Sequence, residues 1–91
     1  MTKADLVKVV ADRAGLSQKG AALVLDAFTD AVREAVARGE TVRISGFGTF
    51  AVRERAARQG RDLRTGEPVT VPARKVVVFR AGKELKRAVA V

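Results

Sequence analysis

The stretch RERAARQGRDLRTGEPVTVPARK, residues 53–75, constrains the fold of this 91-residue chain more than any other feature. Seven of its residues are cationic (Arg53, Arg55, Arg58, Arg61, Arg64, Arg74 and Lys75), and almost nothing in it could join a core. With residues 53–74 set aside as an arm, one domain body of residues 1–52 and 75–91 must supply all the burial. A body that small stabilises itself only marginally, and a two-stranded hairpin is marginal too. All four phenylalanines, Phe28, Phe47, Phe50 and Phe79, lie in the body. These facts predict a symmetric dimer in which strands and second helices of two chains share one core. A compact monomer with a loose basic loop is the alternative.

Periodicity divides the rest of residues 1–91 into an α+β pattern. Thr2 followed by Asp5 has the spacing of a capping box, and Leu6, Val9, Val10 and Ala14 recur at helical intervals until Gly15. Ser17 opens a second helix with an apolar stripe of Ala21, Val24, Leu25, Phe28, Val32, Ala35 and Val36, ending at Gly39. Its opposite face carries Asp26, Asp30 and Glu34. The period then falls to two. Val42 and Ile44 flank Arg43, and after Gly46–Phe47–Gly48 a longer strand alternates Phe50 and Val52 with Ala51 and Arg53. GRDLRTGE reads as the turn of the arm and PVTVP as its returning strand. Pro68 and Pro72 confine that strand to an edge or a free ribbon, because proline donates no ladder hydrogen bond. VVVF, residues 76–79, reads as a buried strand and AGKELKRAVAV as a short C-terminal helix. The fold expected is two N-terminal helices, a three-stranded antiparallel sheet with a long β-ribbon arm, and that last helix, in an intertwined dimer.

Composition removes several function classes. There is no cysteine and no histidine, which excludes disulfides, the commonest zinc ligands and the usual general base. Ser17, Ser45 and the threonines therefore lack a catalytic partner, no carboxylate pair stands beside a nucleophile, and no cofactor is implied. The chain reads as non-catalytic. No apolar run approaches the length that spans a bilayer, and the start does not have a signal peptide's layout, so a cytoplasmic protein is expected. The net charge of +8 asks for a polyanionic partner: DNA, RNA or an anionic membrane surface.

Two motif matches fail on context. GFGTFA fits a dinucleotide-binding fingerprint in letters, yet a strand-like segment follows where a helix is required. Residues 9–28 resemble a helix-turn-helix, but the second helix is long for a recognition helix and would present Asp26, Asp30 and Glu34 to phosphates. The arm is the stronger candidate. Its cations lie along a strand–turn–strand, and strands of about ten residues would reach roughly 30 Å, enough for two arms to embrace a duplex. Lys83, Lys86 and Arg87 on one side of the last helix, with Lys3 and Arg80 as neighbours, form a second basic group. Phosphate binding by such groups is independent of sequence. The arm has no aromatics on which single-stranded bases could stack.

Together the helix pair, GFGTF, RERAAR-GR, TGE, VVVF and FRAGKELK resemble the HU family of bacterial histone-like DNA-binding proteins, related to integration host factor. The likeness runs over essentially the whole chain. It implies a homodimer, with a paralogous chain as a second candidate partner, whose arms lie in the minor groove and which bends and compacts DNA. It implies residence on the nucleoid and no membrane partner. Carried over by motif, Arg53, Arg55, Arg58, Arg61, Arg64 and Arg74 line the arm, and Lys3, Arg80, Lys83 and Lys86 contact phosphates from the body. Phe47, Phe50 and Phe79 fill the dimer core. The family's arm tip reads Arg-Asn-Pro-x-Thr-Gly, and here Asp62 and Leu63 replace the asparagine and the proline. Leucine is itself an apolar side chain of the kind that wedges between base steps. The reading is an architectural protein for duplex DNA, with a preference for bent, nicked or junction DNA. Its rivals are a sequence-preferring bending factor like integration host factor and a basic RNA-associated assembly module.

Overall fold

The structure, a computed structural model, describes residues 1–90, so the end of the expected C-terminal helix at Val91 lies outside the described residues. Its elements are helices α1 (Lys3–Ala14) and α2 (Gln18–Ala37), strands β1 (Val42–Ile44), β2 (Gly48–Arg55), β3 (Arg58–Arg61), β4 (Pro68–Val71) and β5 (Arg74–Ala81), and helix α3 (Lys83–Val89). The α+β class and the strand count of the main sheet match the expectation. The chain forms two compact units, residues 1–35 and 36–91.

In the first unit the capping signals operate as spaced. The Asp5 N–H donates to Thr2 Oγ1 at 3.3 Å, and the Thr2 N–H donates to Asp5 Oδ2 at 2.8 Å, closing the box reciprocally. The Thr2 N–H and the Thr2 hydroxyl, which donates to Asp5 Oδ2 at 3.1 Å, hold the Asp5 carboxyl below its ordinary value, because both bonds favour the charged form. Gly15 ends α1 in the left-handed region at φ 67°. Ser17 Oγ accepts the Gly20 N–H at 3.0 Å and caps α2. On the acidic face Asp26 binds Lys3 and Asp30 binds Arg33, both at 2.6 Å. Leu23, Val24 and Phe28 remain exposed.

The second unit is built on one antiparallel sheet in the order β1-β2-β5. Val42 stands opposite Phe50 and Ile44 opposite Gly48, while β2 and β5 pair from Gly48↔Ala81 to Arg55↔Arg74. Alternation puts Val42, Ile44, Phe50, Val52, Val77 and Phe79 on one face, with Arg43, Thr49, Ala51, Arg53, Val78 and Arg80 on the other. VVVF is therefore not buried throughout: Val77 is 57% and Phe79 41% exposed, because within one chain their face is only partly covered. The link from β1 to β2 is a tight turn in which the Phe47 N–H donates to Ile44 O at 3.0 Å, with Gly46 at φ 80°. Phe47 leans on Phe79 (centroids 5.6 Å apart), and Phe79 on Phe50 (4.8 Å). Gly48 must lack a side chain, since a Cβ there would lie 2.7 Å from Arg80 O and closer still to the Phe79 ring.

The arm strands are shorter than expected. The ladder stops at Arg55↔Arg74 and resumes at Arg58↔Val71, where the four-residue strands β3 and β4 form a separate two-stranded ribbon. Pro72 lies in the gap and has no N–H with which to continue the ladder.

Gly48→Ala should destabilise the fold by roughly 1–3 kcal/mol through overpacking against the Phe79 ring, read as a lower urea midpoint at constant slope. Because the Asp5 carboxyl titrates lower when folded than unfolded, its contribution is present above the unfolded value and lost as pH falls through the folded one. Thermal stability should drop on acidification below about pH 4, and Asp5→Asn should flatten that part of the profile.

Candidate nucleic-acid interface

Strand alternation decides where each cation points. Arg53 and Arg55 extend the polar face of β2, with Arg55 directly opposite Arg74. Lys75, one residue on, falls on the other face, opposite Glu54. On the ribbon Arg58 and Arg61 are an odd number of residues apart, so they project from opposite faces rather than along one. Arg58 shares its face with Val71, and Arg61 stands opposite Pro68. The Gln59 Nε2 donates to Thr70 Oγ1 at 3.4 Å across the ribbon. At the ladder gap a cavity of about 370 Å³ is ringed by Arg55, Arg58, Val71, Pro72 and Arg74. Three arginines thus border the break in the ladder, which suits an anionic strand.

The tip is more ordered than its charge suggests. The Asp62 N–H donates to Glu67 O at 2.9 Å and the Gly66 N–H to Asp62 O at 2.7 Å. Asp62 Oδ1 accepts the Arg64 N–H at 2.8 Å, an Asx turn that spends one carboxylate oxygen inside the loop. The Arg61 guanidinium donates to Gly66 O at 3.3 Å. These bonds leave Leu63 fully exposed at the apex, at 101% of its reference area.

The remaining candidates are less alike. Among the described residues Lys3 is the one candidate cation held in an ion pair, to Asp26. Both partners are exposed, and such pairs are worth little, so the contact yields readily to a phosphate. Lys83 and Lys86 share a side of α3, while Arg87 is turned back to Glu84 at 3.6 Å. Arg80 lies on the sheet's polar face beside Thr49, and Arg43 lies on Thr49's other side. Arg43 is missing from the set derived by sequence, although its place between Val42 and Ile44 in a period-two segment signalled an outward cation. Within one chain Phe47, Phe50 and Phe79 form one ring cluster, with Phe47 still 43% exposed.

A family described as bacterial DNA-binding protein matches residues 1–90. The chain belongs to that family. It is 49% identical over 89 residues to the DNA-binding protein HU of Geobacillus stearothermophilus, covering 98% of this chain and 99% of that one. Among solved structures, the Anabaena HU–DNA cocrystal matches with a TM-score of 0.94 at 43% identity, over 99% of this chain and 98% of that chain. HU from Thermotoga maritima matches with a TM-score of 0.69 at 31% identity, over 99% and 100% of the two chains. Within the bacterial DNA-binding family, then, this chain has an apex of Asp62 and Leu63 held by internal hydrogen bonds.

Asp62→Ala should free the apex and speed exchange of the Arg64 amide, while Asp62→Asn, whose side-chain oxygen can still accept, should preserve its protection. Native-state hydrogen exchange followed by NMR reads both variants.

Proposed function

We propose that two copies of this chain form a non-catalytic architectural protein that binds duplex DNA, bends it and compacts it with little preference for sequence. The observation that carries the reading is the two-faced sheet. One face presents Arg43, Arg53, Arg55, Arg74 and Arg80, and the other presents Val77 and Phe79 with too little to cover them. Among the described residues only Ala11, Ala21, Ala35 and Gly48 are buried, so one chain has no core of large side chains. A second copy supplies the missing cover, which makes dimerisation and folding one event. The HU name of the relatives and the DNA in the Anabaena cocrystal support the choice of partner.

In this reading DNA is anchored by charge and bent where bending costs least. The arm cations Arg53, Arg55, Arg58, Arg61, Arg64 and Arg74 track the backbone, with Lys75 at the arm's base. Lys3, Arg80, Lys83 and Lys86 hold phosphates from the body. Leu63 enters a base step at the apex. Asp62 brings a negative charge close to phosphates, so insertion favours steps already loosened by a nick or junction. The arm, residues 53–74, is the distorting element and the remainder the anchor. A protein with this role resides on the nucleoid, in the cytoplasm. No described helix is long and apolar enough to cross a membrane.

Titration of intact, nicked and four-way-junction duplexes tests this. With on the order of six to ten phosphate contacts per dimer, log affinity should fall with log salt at a slope of roughly −5 to −9, and scrambling the sequence should change affinity little. A shallow slope with strong sequence discrimination would point to a site-specific factor. Leu63→Ala should reduce the bend of nicked DNA, read by end-to-end fluorescence transfer, without changing that slope. Undiminished bending by this variant would leave the arms acting through charge alone.

A further inference from the structure

Helix α3 carries Lys83 and Lys86, yet little of its own holds it in place. None of its seven residues is buried, and Leu85 alone is half-buried. A helix this short is marginal in water, so its direction depends on how it is attached. The attachment is Gly82. Its N–H donates to Phe47 O at 2.7 Å, and its carbonyl accepts the Lys86 N–H at 3.0 Å, which begins the helix. One residue thus joins α3 to the turn between β1 and β2.

Space, not torsion, demands glycine at this joint. At φ −80° and ψ 174° the backbone is extended, a conformation open to any residue. A Cβ on Gly82, however, would lie 3.0 Å from both the carbonyl carbon and the oxygen of Phe47, and 3.3 Å from the Gly48 nitrogen. All three are backbone atoms held by the tight turn and the β1–β2 ladder, so it is α3 that would shift. Gly82 is also the N-cap of α3, where serine, threonine, aspartate or asparagine would add a side-chain hydrogen bond; none is made. The chain forgoes a cap and gains close approach. From the other side, a Cβ at Gly46 would meet Glu84 Cγ at 3.7 Å, so the first turn of α3 lies against the same turn. Lys86 is about 6 Å further along the axis, and a tilt of about 10° at Gly82 moves its Cα by roughly 1 Å.

We infer that Gly82 is a positioning residue for DNA binding: by seating α3 on the Phe47 carbonyl it aims Lys83 and Lys86 at the phosphates. It acts through the lysines, its own amide being bonded to Phe47. The Phe47 ring leans on Phe79, so the joint also ties the aim of α3 to the ring cluster for which a second copy supplies cover. The inference rests on the duplex-binding reading and adds to it the residue that sets the direction of α3.

The test uses the full-length protein and Gly82→Ala, which leaves every charge in place. On a short intact duplex, Lys83→Ala with Lys86→Ala should lower the magnitude of the parent's salt slope by up to about 3.6 per dimer, two phosphates for each chain. Gly82→Ala alone should lower it by a comparable amount, although no cation is lost. Adding the two lysine substitutions to Gly82→Ala should then change the slope little. Gly82→Ser separates aim from helix stability. Its hydroxyl restores a cap while its Cβ meets the same backbone, so it should bind as weakly as Gly82→Ala; a role in helix stability alone predicts recovery. In the parent, the Gly82 amide should resist hydrogen exchange, unlike most amides at a helix start. Melting curves set a temperature at which the compared proteins are folded. A Gly82→Ala protein that keeps the parent's slope, keeps its sensitivity to the lysine substitutions, or does not fold at all overturns the positioning role and leaves the duplex-binding reading standing. Recovery by Gly82→Ser or fast exchange of the Gly82 amide has the same consequence. A parent that does not bind the duplex overturns that reading, and the inference with it.

Discussion

The β2–β5 ladder is the constraint on which the other features rest. Eight paired positions from Gly48↔Ala81 to Arg55↔Arg74 impose a period of two on both strands. Every apolar residue committed to one face therefore commits its neighbour to the other. Phe50, Val52, Val77 and Phe79 cannot gather without sending Arg53, Val78 and Arg80 to the opposite side. A one-residue slip would exchange the two sets, placing arginines among phenylalanines, so the register is strongly specified. Gly48 guards it, because only a residue without a side chain fits under the Phe79 ring.

The same ladder feeds the arm. It carries the basic face outward as far as Arg55 and Arg74, where Pro72 interrupts it and a short ribbon takes over. The interruption exposes backbone groups among three arginines and leaves Arg58 and Arg61 on opposite ribbon faces. A ribbon charged on both faces can contact both strands bordering a groove, which a ribbon charged on one face cannot. Order at the apex has a different origin, the Asx turn and the hydrogen bonds closing on Gly66 and Glu67. Asp62 thus has two effects: it rigidifies the loop that presents Leu63, and it adds a negative charge to an apex otherwise flanked by Arg61 and Arg64.

Much of this was legible from residue order because it depends on short-range rules. The Thr2–Asp5 box, the Gly15 stop, the Ser17 cap, the Gly46 turn and the change of period after Gly39 each involve residues within four positions of one another. The functional class was legible too, since a charge of +8 without cysteine or histidine leaves few other roles. What the sequence could not order was decided across strands. Arg43 gained significance only when pairing set it beside Thr49 and Arg80, residues far from it in the chain. The partner of Lys3, the break at Pro72 and the exposure of Val77 are likewise products of tertiary placement. Local periodicity determined which residues share a face; the pairing register, a long-range choice among strands, determined which faces are basic together and which still lack cover.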